Sequence, residues 1–341
     1  MQATKLLSAA SGRRQFLAVG SDTSSYLFVY PWDSLTGFGT KYSDPATTPT
    51  STVNGVAFSP SGYYVAVTMN SSPYVAAYPW SASGFGTRYS NPASLPGGSG
   101  KRVSFSPGSD YVVICHDGSP YISVYPWSSS GFGTRVTSPA SLVSGTYQAD
   151  FHPKNNAIAL ADSSNFLAAW AWSGSSFGSK FANPTSLFSG AGTGVKFTRD
   201  GNAVIAVHTL SPYISAWQWS GSGFGTKYAA PSSLPNANGT GISVTSNSDY
   251  VAMSTTTNPG NYVYPWSYAG GFGTRVSTSS LTSQQNDVAF SVNNDAIAFA
   301  GAATGAIKAF RWSGGAYGSQ YSNPATLPSG SPTSVSFGAL G

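Results

Sequence analysis

Tyr78-Pro79-Trp80-Ser81-Ala82-Ser83-Gly84-Phe85-Gly86-Thr87-Arg88-Tyr89 recurs along the chain. The tryptophans of the seven copies are Trp32, Trp80, Trp127, Trp172, Trp219, Trp266 and Trp312, spaced 48, 47, 45, 47, 47 and 46 residues apart. After each Trp comes a turn of small residues and then an aromatic-Gly pair: Phe38-Gly39, Phe85-Gly86, Phe132-Gly133, Phe177-Gly178, Phe224-Gly225, Phe272-Gly273 and Tyr317-Gly318. A fixed period near 47 marks a stacked or circular array whose units bury one another's faces. Seven such units make one domain out of 341 residues.

Within one copy the signals are those of four short strands. Val103-Ser104-Phe105 alternates and ends at the turn cluster Ser106-Pro107-Gly108-Ser109. Tyr111 to Cys115 is an almost unbroken apolar run, as in a strand covered on both faces. Tyr121 to Tyr125 follows a loop, and Gly133 to Val136 reads as the fourth strand. Four antiparallel strands at this period predict a propeller blade. The expected fold is all-β: a seven-bladed β-propeller over residues 13–341, preceded by an N-terminal arm, 1–12.

The first strands read as Val56–Phe58, Val103–Phe105, Ala149–Phe151, Val195–Phe197, Ile242–Val244, Val288–Phe290 and Val335–Phe337. The last has nothing after it, and the first Trp-bearing unit lacks one of its own. Pairing Val335–Phe337 with Phe16–Val19 closes the first blade and leaves few open edges.

Composition narrows the function. Charged residues are 8% of the chain, all eleven acids are Asp, and the net charge of +5 comes from scattered basic residues. That scatter argues against a nucleic-acid partner, which favours a clustered basic face. A single cysteine, Cys115, provides no disulfide framework, and it reads as a buried hydrophobe. The first residues lack a signal-peptide pattern, and no apolar run is long enough to span a membrane. No phosphate loop, His-Glu-x-x-His or Cys-x-x-Cys occurs, so no catalytic residue, metal or cofactor is assigned and the chain reads as non-enzymatic.

Several positions admit two readings. The repeat Trp and aromatic-Gly residues read as inter-blade core, with sugar stacking as the other use. The Gly fits a backbone that needs free φ. A basic residue recurs two places after it, at Lys41, Arg88, Arg135, Lys180, Lys227 and Arg275, on what reads as the outermost strand. It either discourages edge pairing or forms a basic girdle for an acidic partner. Ten residues before their Trp stand Asp22, Asn70, Asp117 and Asp162, which close Asx turns or meet a cation or sugar hydroxyls. His116 and His208 hold equivalent places two blades apart, which is poor metal geometry. His152 reads as a turn residue. The loops between second and third strands differ among units, which marks that face as the one freer to recognise a partner or glycan.

Phe58-Ser59-Pro60-Ser61-Gly62-Tyr63-Tyr64-Val65-Ala66-Val67 resembles the first turn and second strand of WD-repeat propellers, although the Gly-His pair is missing and Trp-Asp survives only as Trp32-Asp33. The pattern Tyr-Pro-Trp-Ser-x-Ser-Gly-Phe-Gly-Thr-Lys/Arg-Tyr-Ser-Asn-Pro-Ala-Ser-Leu-Pro at 78–96, with its copies at 125–142, 217–235 and 312–328, is similar to repeat proteins of tailed, marine-type phages. That resemblance implies a virion structural protein, made in the host cytoplasm and located on the particle: a capsid decoration or tail-fibre component that binds other virion proteins and host-surface glycans. A lectin-like glycan-binding propeller is the alternative, and a propeller hydrolase or lactonase the third reading.

Overall fold

The computed structural model describes residues 13–139, 145–164, 166–277 and 281–341. The proposed N-terminal arm, 1–12, lies outside the described residues. Seven four-stranded antiparallel sheets form seven blades. Blade 2 shows the plan: Val53–Phe58, Tyr64–Met69, Val75–Ser81 and Gly84–Phe85, from the axis outward. The innermost strands of successive blades touch all the way round, and the last, Pro332–Leu340, touches both blade 7 and blade 2.

Closure of the ring follows the sequence reading. Pro332–Leu340 is the innermost strand of blade 1 and pairs with Arg14–Ser21, with Val335 opposite Val19 and Phe337 opposite Leu17. Among the described residues, every apolar cluster lies between two blades rather than within one. The cluster around Trp80, for example, joins Phe16 and Val29 of blade 1 to Val67 and Tyr78 of blade 2.

The repeat tryptophans are the centre of these clusters, only 2–6% exposed. Each meets its own aromatic-Gly ring edge-on, as at Trp80–Phe85 (4.9 Å between centroids) and Trp219–Phe224 (5.0 Å). All seven also meet an aromatic ring supplied by the preceding blade: Tyr321 for Trp32, Tyr42 for Trp80, Tyr89 for Trp127, Tyr111 for Trp172, Phe181 for Trp219, Tyr228 for Trp266 and Tyr250 for Trp312. Burying one indole removes about 150–250 Å² from water, an upper-bound gain of about 4–6 kcal/mol. The indoles are therefore core, and sugar stacking on them is closed off by the neighbouring blade.

Two details differ from the sequence expectation. The outer strand lies earlier than expected and is only two residues long in blades 1, 2, 3 and 6: Gly37–Phe38, Gly84–Phe85, Gly131–Phe132 and Gly271–Phe272. In the other blades it runs Phe177–Lys180, Gly223–Lys227 and Tyr317–Gln320. The short ones are the blades whose Trp follows Pro31, Pro79, Pro126 or Pro265; the long ones have Ala171, Gln218 or Arg311 there. Proline has no N–H to give the next strand, so the ladder stops. The second detail is the Gly after the aromatic. It is required by close approach rather than by φ: a Cβ at Gly86 would lie 2.9 Å from the Pro79 ring.

Candidate functional site at the mouth of the central channel

Each innermost strand begins about three residues earlier than its apolar pattern indicated, and those extra residues build the site. In all seven, the second residue is an extra one in the ladder, a β-bulge. Blade 2 illustrates it: Val53 pairs with Met69 and Gly55 with Thr68, leaving Asn54 without a partner. A bulge re-aims its side chain. The bulged residues are Thr333, Asn54, Lys101, Tyr147, Thr193, Thr240 and Asn286, one polar or amphipathic side chain per blade. In blade 3 the bulge also takes in Arg102, so two residues stand opposite Cys115.

Six of these residues line a cavity of about 390 Å³ at one mouth of the central channel. Asn70, Thr209 and Thr256, each ten residues before its Trp, and Asn238 complete its rim. The cavity therefore opens on the face that carries the second-to-third-strand turns and the inter-blade connectors. Its lining offers amides, hydroxyls, one phenol and two cations.

The floor is Arg102, which reaches from blade 3 to blade 7. Its Nη1 donates to Asp287 Oδ2 at 2.6 Å, and its Nη2 donates to the carbonyls of Thr240 (3.2 Å) and Asn286 (3.1 Å). Asp287 also accepts from Ser334 Oγ (2.8 Å) and from the N–H groups of Val335 (3.1 Å) and Val288 (3.0 Å). Room for this crossing comes from glycine at the next place along two inner strands, Gly55 and Gly241. A Cβ at Gly241 would lie 2.4 Å from Asp287 Oδ1. Below the floor, Lys196 Nζ meets Asp150 Oδ1 at 2.8 Å.

The residues singled out in the sequence divide between this mouth and the rest of the molecule. Asn70 lines the cavity and accepts from Ser99 Oγ at 2.7 Å. Asp117 reaches it through Lys101, whose Nζ lies 3.0 Å from Asp117 Oδ2. Asp22 accepts from Ser331 N (2.8 Å), and Asp162 from Ser164 N (2.7 Å). His116 and His208 are fully buried and bond the hydroxyls of Ser123 (3.0 Å) and Ser215 (3.1 Å) on the adjoining third strands. Burial pulls both imidazoles down to about 4, so they are neutral at pH 7. His152 is a turn residue, as expected, and its Nε2 lies 2.9 Å from the Gly201 carbonyl of the next blade. Burial lowers its pKa too. Cys115 is buried, which raises its thiol pKa.

The six periodic basic residues are half-buried on the outer circumference, one in each of blades 1–6, and the structure does not bring them together. Only Lys180 and Lys227 lie within an outer strand; Lys41, Arg88, Arg135 and Arg275 follow one, because the prolines end those strands early. Each has an intramolecular partner. Lys41 pairs with Asp44, Arg88 donates to Asn91 Oδ1 at 3.0 Å, and Arg135 donates to the Leu95 carbonyl at 3.2 Å. Lys180, Lys227 and Arg275 lie over the rings of Trp170 (5.6 Å), Trp217 (5.2 Å) and Tyr262 (3.9 Å). Such contacts hold a cation against its own blade.

In six blades the diverging second-to-third loops end on one backbone conformation despite their sequences. Tyr26, Tyr74, Tyr121, Phe166 and Tyr213 all have φ between 62° and 67°, and Gly260 holds the same place in blade 6 with φ of 79°; in blade 7 the positive φ falls one residue earlier, at Gly305 (64°). Among the described residues no group of three or more His, Cys, Asp or Glu side chains could hold a metal ion, and no helix is long and apolar enough to cross a membrane.

Neither a protein-family model nor a curated protein sequence matches the chain. Solved structures do. A candidate 6-phosphogluconolactonase from Bacteroides uniformis aligns with a TM-score of 0.77 at 12% identity, over 95% of this chain and 99% of its own. The periplasmic gluconolactonase PpgL of Pseudomonas aeruginosa aligns at 0.74 and 14% identity, over 96% and 99%. A protein from Lactobacillus plantarum also aligns at 0.74 and 14%, over 95% and 99%. At these identities the likeness is one of fold. It nevertheless overturns the expectation of a non-enzymatic virion protein for capsid decoration or tail-fibre attachment: the neighbours named by an activity are lactonases. The repeat pattern that suggested a phage particle is explained by blade packing, through the Trp, aromatic-Gly and Pro contacts above.

Proposed function

We propose that this propeller is a hydrolase of the sugar-lactone class, with its site at the channel mouth. The observation that carries the reading is the set of bulges that turn side chains from six separate blades into one cavity. Small-molecule sites are concave and have a few convergent polar groups that fix orientation. About 390 Å³ lined by Asn54, Asn70, Asn238, Thr193, Thr240 and Asn286 suits a single polyhydroxylated ring. The full-length fold likeness to proteins named as lactonases supports the same class.

In such a reaction water adds to the acyl carbon and the bond from that carbon to the ring oxygen breaks. One proton of the water ends on the ring oxygen, and the other is released as the new acid ionises. Negative charge develops on the acyl oxygen, where fixed donors stabilise the transition state most. Both cations at the mouth are already matched by carboxylates, Lys101 by Asp117 and Arg102 by Asp287. The reading therefore favours an uncharged lactone over a phosphorylated one.

The test is hydrolysis of D-glucono-1,5-lactone and its 6-phosphate, followed by acid release against the buffer rate. Acceleration of the neutral lactone, reduced in Asn54→Ala, is the expected result. A rate equal to buffer for both substrates would overturn the reading.

A further inference from the structure

The seven bulged side chains are not equivalent. Five of them tie their blade to the next one by donating to the carbonyl of the first residue of its inner strand. Asn54 donates to Gly100 O (2.8 Å), Thr193 to Gly239 O (2.7 Å), Thr240 to Gln285 O (2.6 Å) and Asn286 to Pro332 O (2.8 Å); Thr333 donates to Val53 O. The clamp runs in the same sense around the ring and calls for a short donor, Asn or Thr.

Blades 3 and 4 break the pattern. Their bulged residues are Lys101 and Tyr147, and neither makes the clamp. The hydroxyl of Thr146 donates instead to the Tyr121 carbonyl, so blades 3 and 4 remain joined by another route. Lys101 projects at the rim, its side chain 33% exposed and held by Asp117. Tyr147 is 39% exposed, an unusual position for a large aromatic on an otherwise polar mouth. Both line the cavity. Structure accounts for five of the seven bulge residues; the remaining two adjoin each other in the ring and are the most chemically distinctive.

Resting on the reading of the mouth as a sugar-lactone site, we infer that Lys101 and Tyr147 are its ligand-recognition edge. Tyr147 supplies an apolar surface for the C–H face of the ring. The Lys101 ammonium meets the acyl oxygen, and Asp117 is the positioning residue that holds it there.

Two probes and three variants test this. With D-glucono-1,5-lactone as substrate, Tyr147→Ala raises KM at least tenfold with kcat little changed, and Tyr147→Phe behaves as wild type. Lys101→Met lowers kcat at least tenfold, because it removes an interaction made mainly in the transition state. Turnover that is indifferent to both Tyr147→Ala and Lys101→Met overturns the inference and leaves the activity standing. The second probe is D-glucose, titrated against wild-type protein with 13C-labelled tyrosine. Should the lactone not turn over while glucose still shifts the Tyr147 ring resonances, the activity falls and the recognition edge stands. If neither sugar moves those resonances, both are wrong.

Discussion

Removing Asp287 should destabilise the ring more than removing Arg102, although the two form one ion pair. The pair spans the channel from blade 7 to blade 3, with side chains only 11% and 16% exposed. Breaking a buried pair leaves the survivor's hydrogen-bonding demands behind, and that residue sets the size of the loss. After Arg102→Met the carboxylate keeps three donors: Ser334 Oγ, Val335 N and Val288 N. The loss is then about 1–3 kcal/mol, the range for a charge-assisted hydrogen bond. After Asp287→Ala the guanidinium keeps two carbonyls and no counter-charge, and three donors lose their acceptor together. That places the loss at about 3–5 kcal/mol. Entropy of unfolding near 2.1 cal/mol/K per residue over 341 residues gives about 0.7 kcal/mol per degree. Differential scanning calorimetry should therefore show Tm falling by about 4–7 °C for Asp287→Ala and about 1–4 °C for Arg102→Met. Because the pair is shielded, 1 M NaCl should leave the difference between the variants nearly unchanged. An Arg102→Met loss equal to or larger than that of Asp287→Ala would refute the reasoning, since it would mean that the carboxylate is not satisfied by its own blade and its neighbour.

Two further outcomes follow from the closure and from the buried imidazoles. Deletion of residues 331–341 removes the innermost strand of blade 1 and exposes the edge of Arg14–Ser21; the truncated chain should be insoluble or lack a cooperative melt, and a soluble monomer with wild-type Tm would refute the closure argument. His116 and His208 have folded values near 4, against about 6.5 in the unfolded chain. The unfolded state therefore takes up protons first as pH falls, so stability is complete above pH 6.5 and declines towards pH 4, by at most about 3 kcal/mol per histidine. Asp33 and Asp200, whose carboxyls are held below the ordinary range, lose their contribution only at still lower pH. Urea midpoints measured at pH 7 and pH 4.5 should differ accordingly, and equal midpoints would show that these imidazoles are not withheld from protons.

The architecture was legible because it is repetitive. Seven tryptophans at one period, each with its aromatic-Gly partner, require seven equivalent burial sites, and a ring of blades supplies them. Closure by Val335–Phe337 was legible for a related reason: one first strand was missing at the start and one was spare at the end. The outer strands were misplaced because the apolar pattern continues past the point where Pro79 or Pro126 removes the N–H that the ladder needs. That signal was present in the sequence, in the contrast with Ala171, Gln218 and Arg311.

The site was not legible in the same way. Val53-Asn54-Gly55 or Gly239-Thr240-Gly241 reads locally as loop, with no alternation to mark it as strand. A bulge becomes visible only when the partner strand's register is known, and the convergence of six bulged residues on one cavity needs the ring closed around its axis. Arg102 meets Asp287 across 185 residues of chain, a distance over which no local pattern carries information. Short-range periodicity in the sequence thus determined what packs between blades. Which polar side chains share the axis was decided by closure alone, because only a closed ring brings residues from every blade within hydrogen-bonding reach of one another.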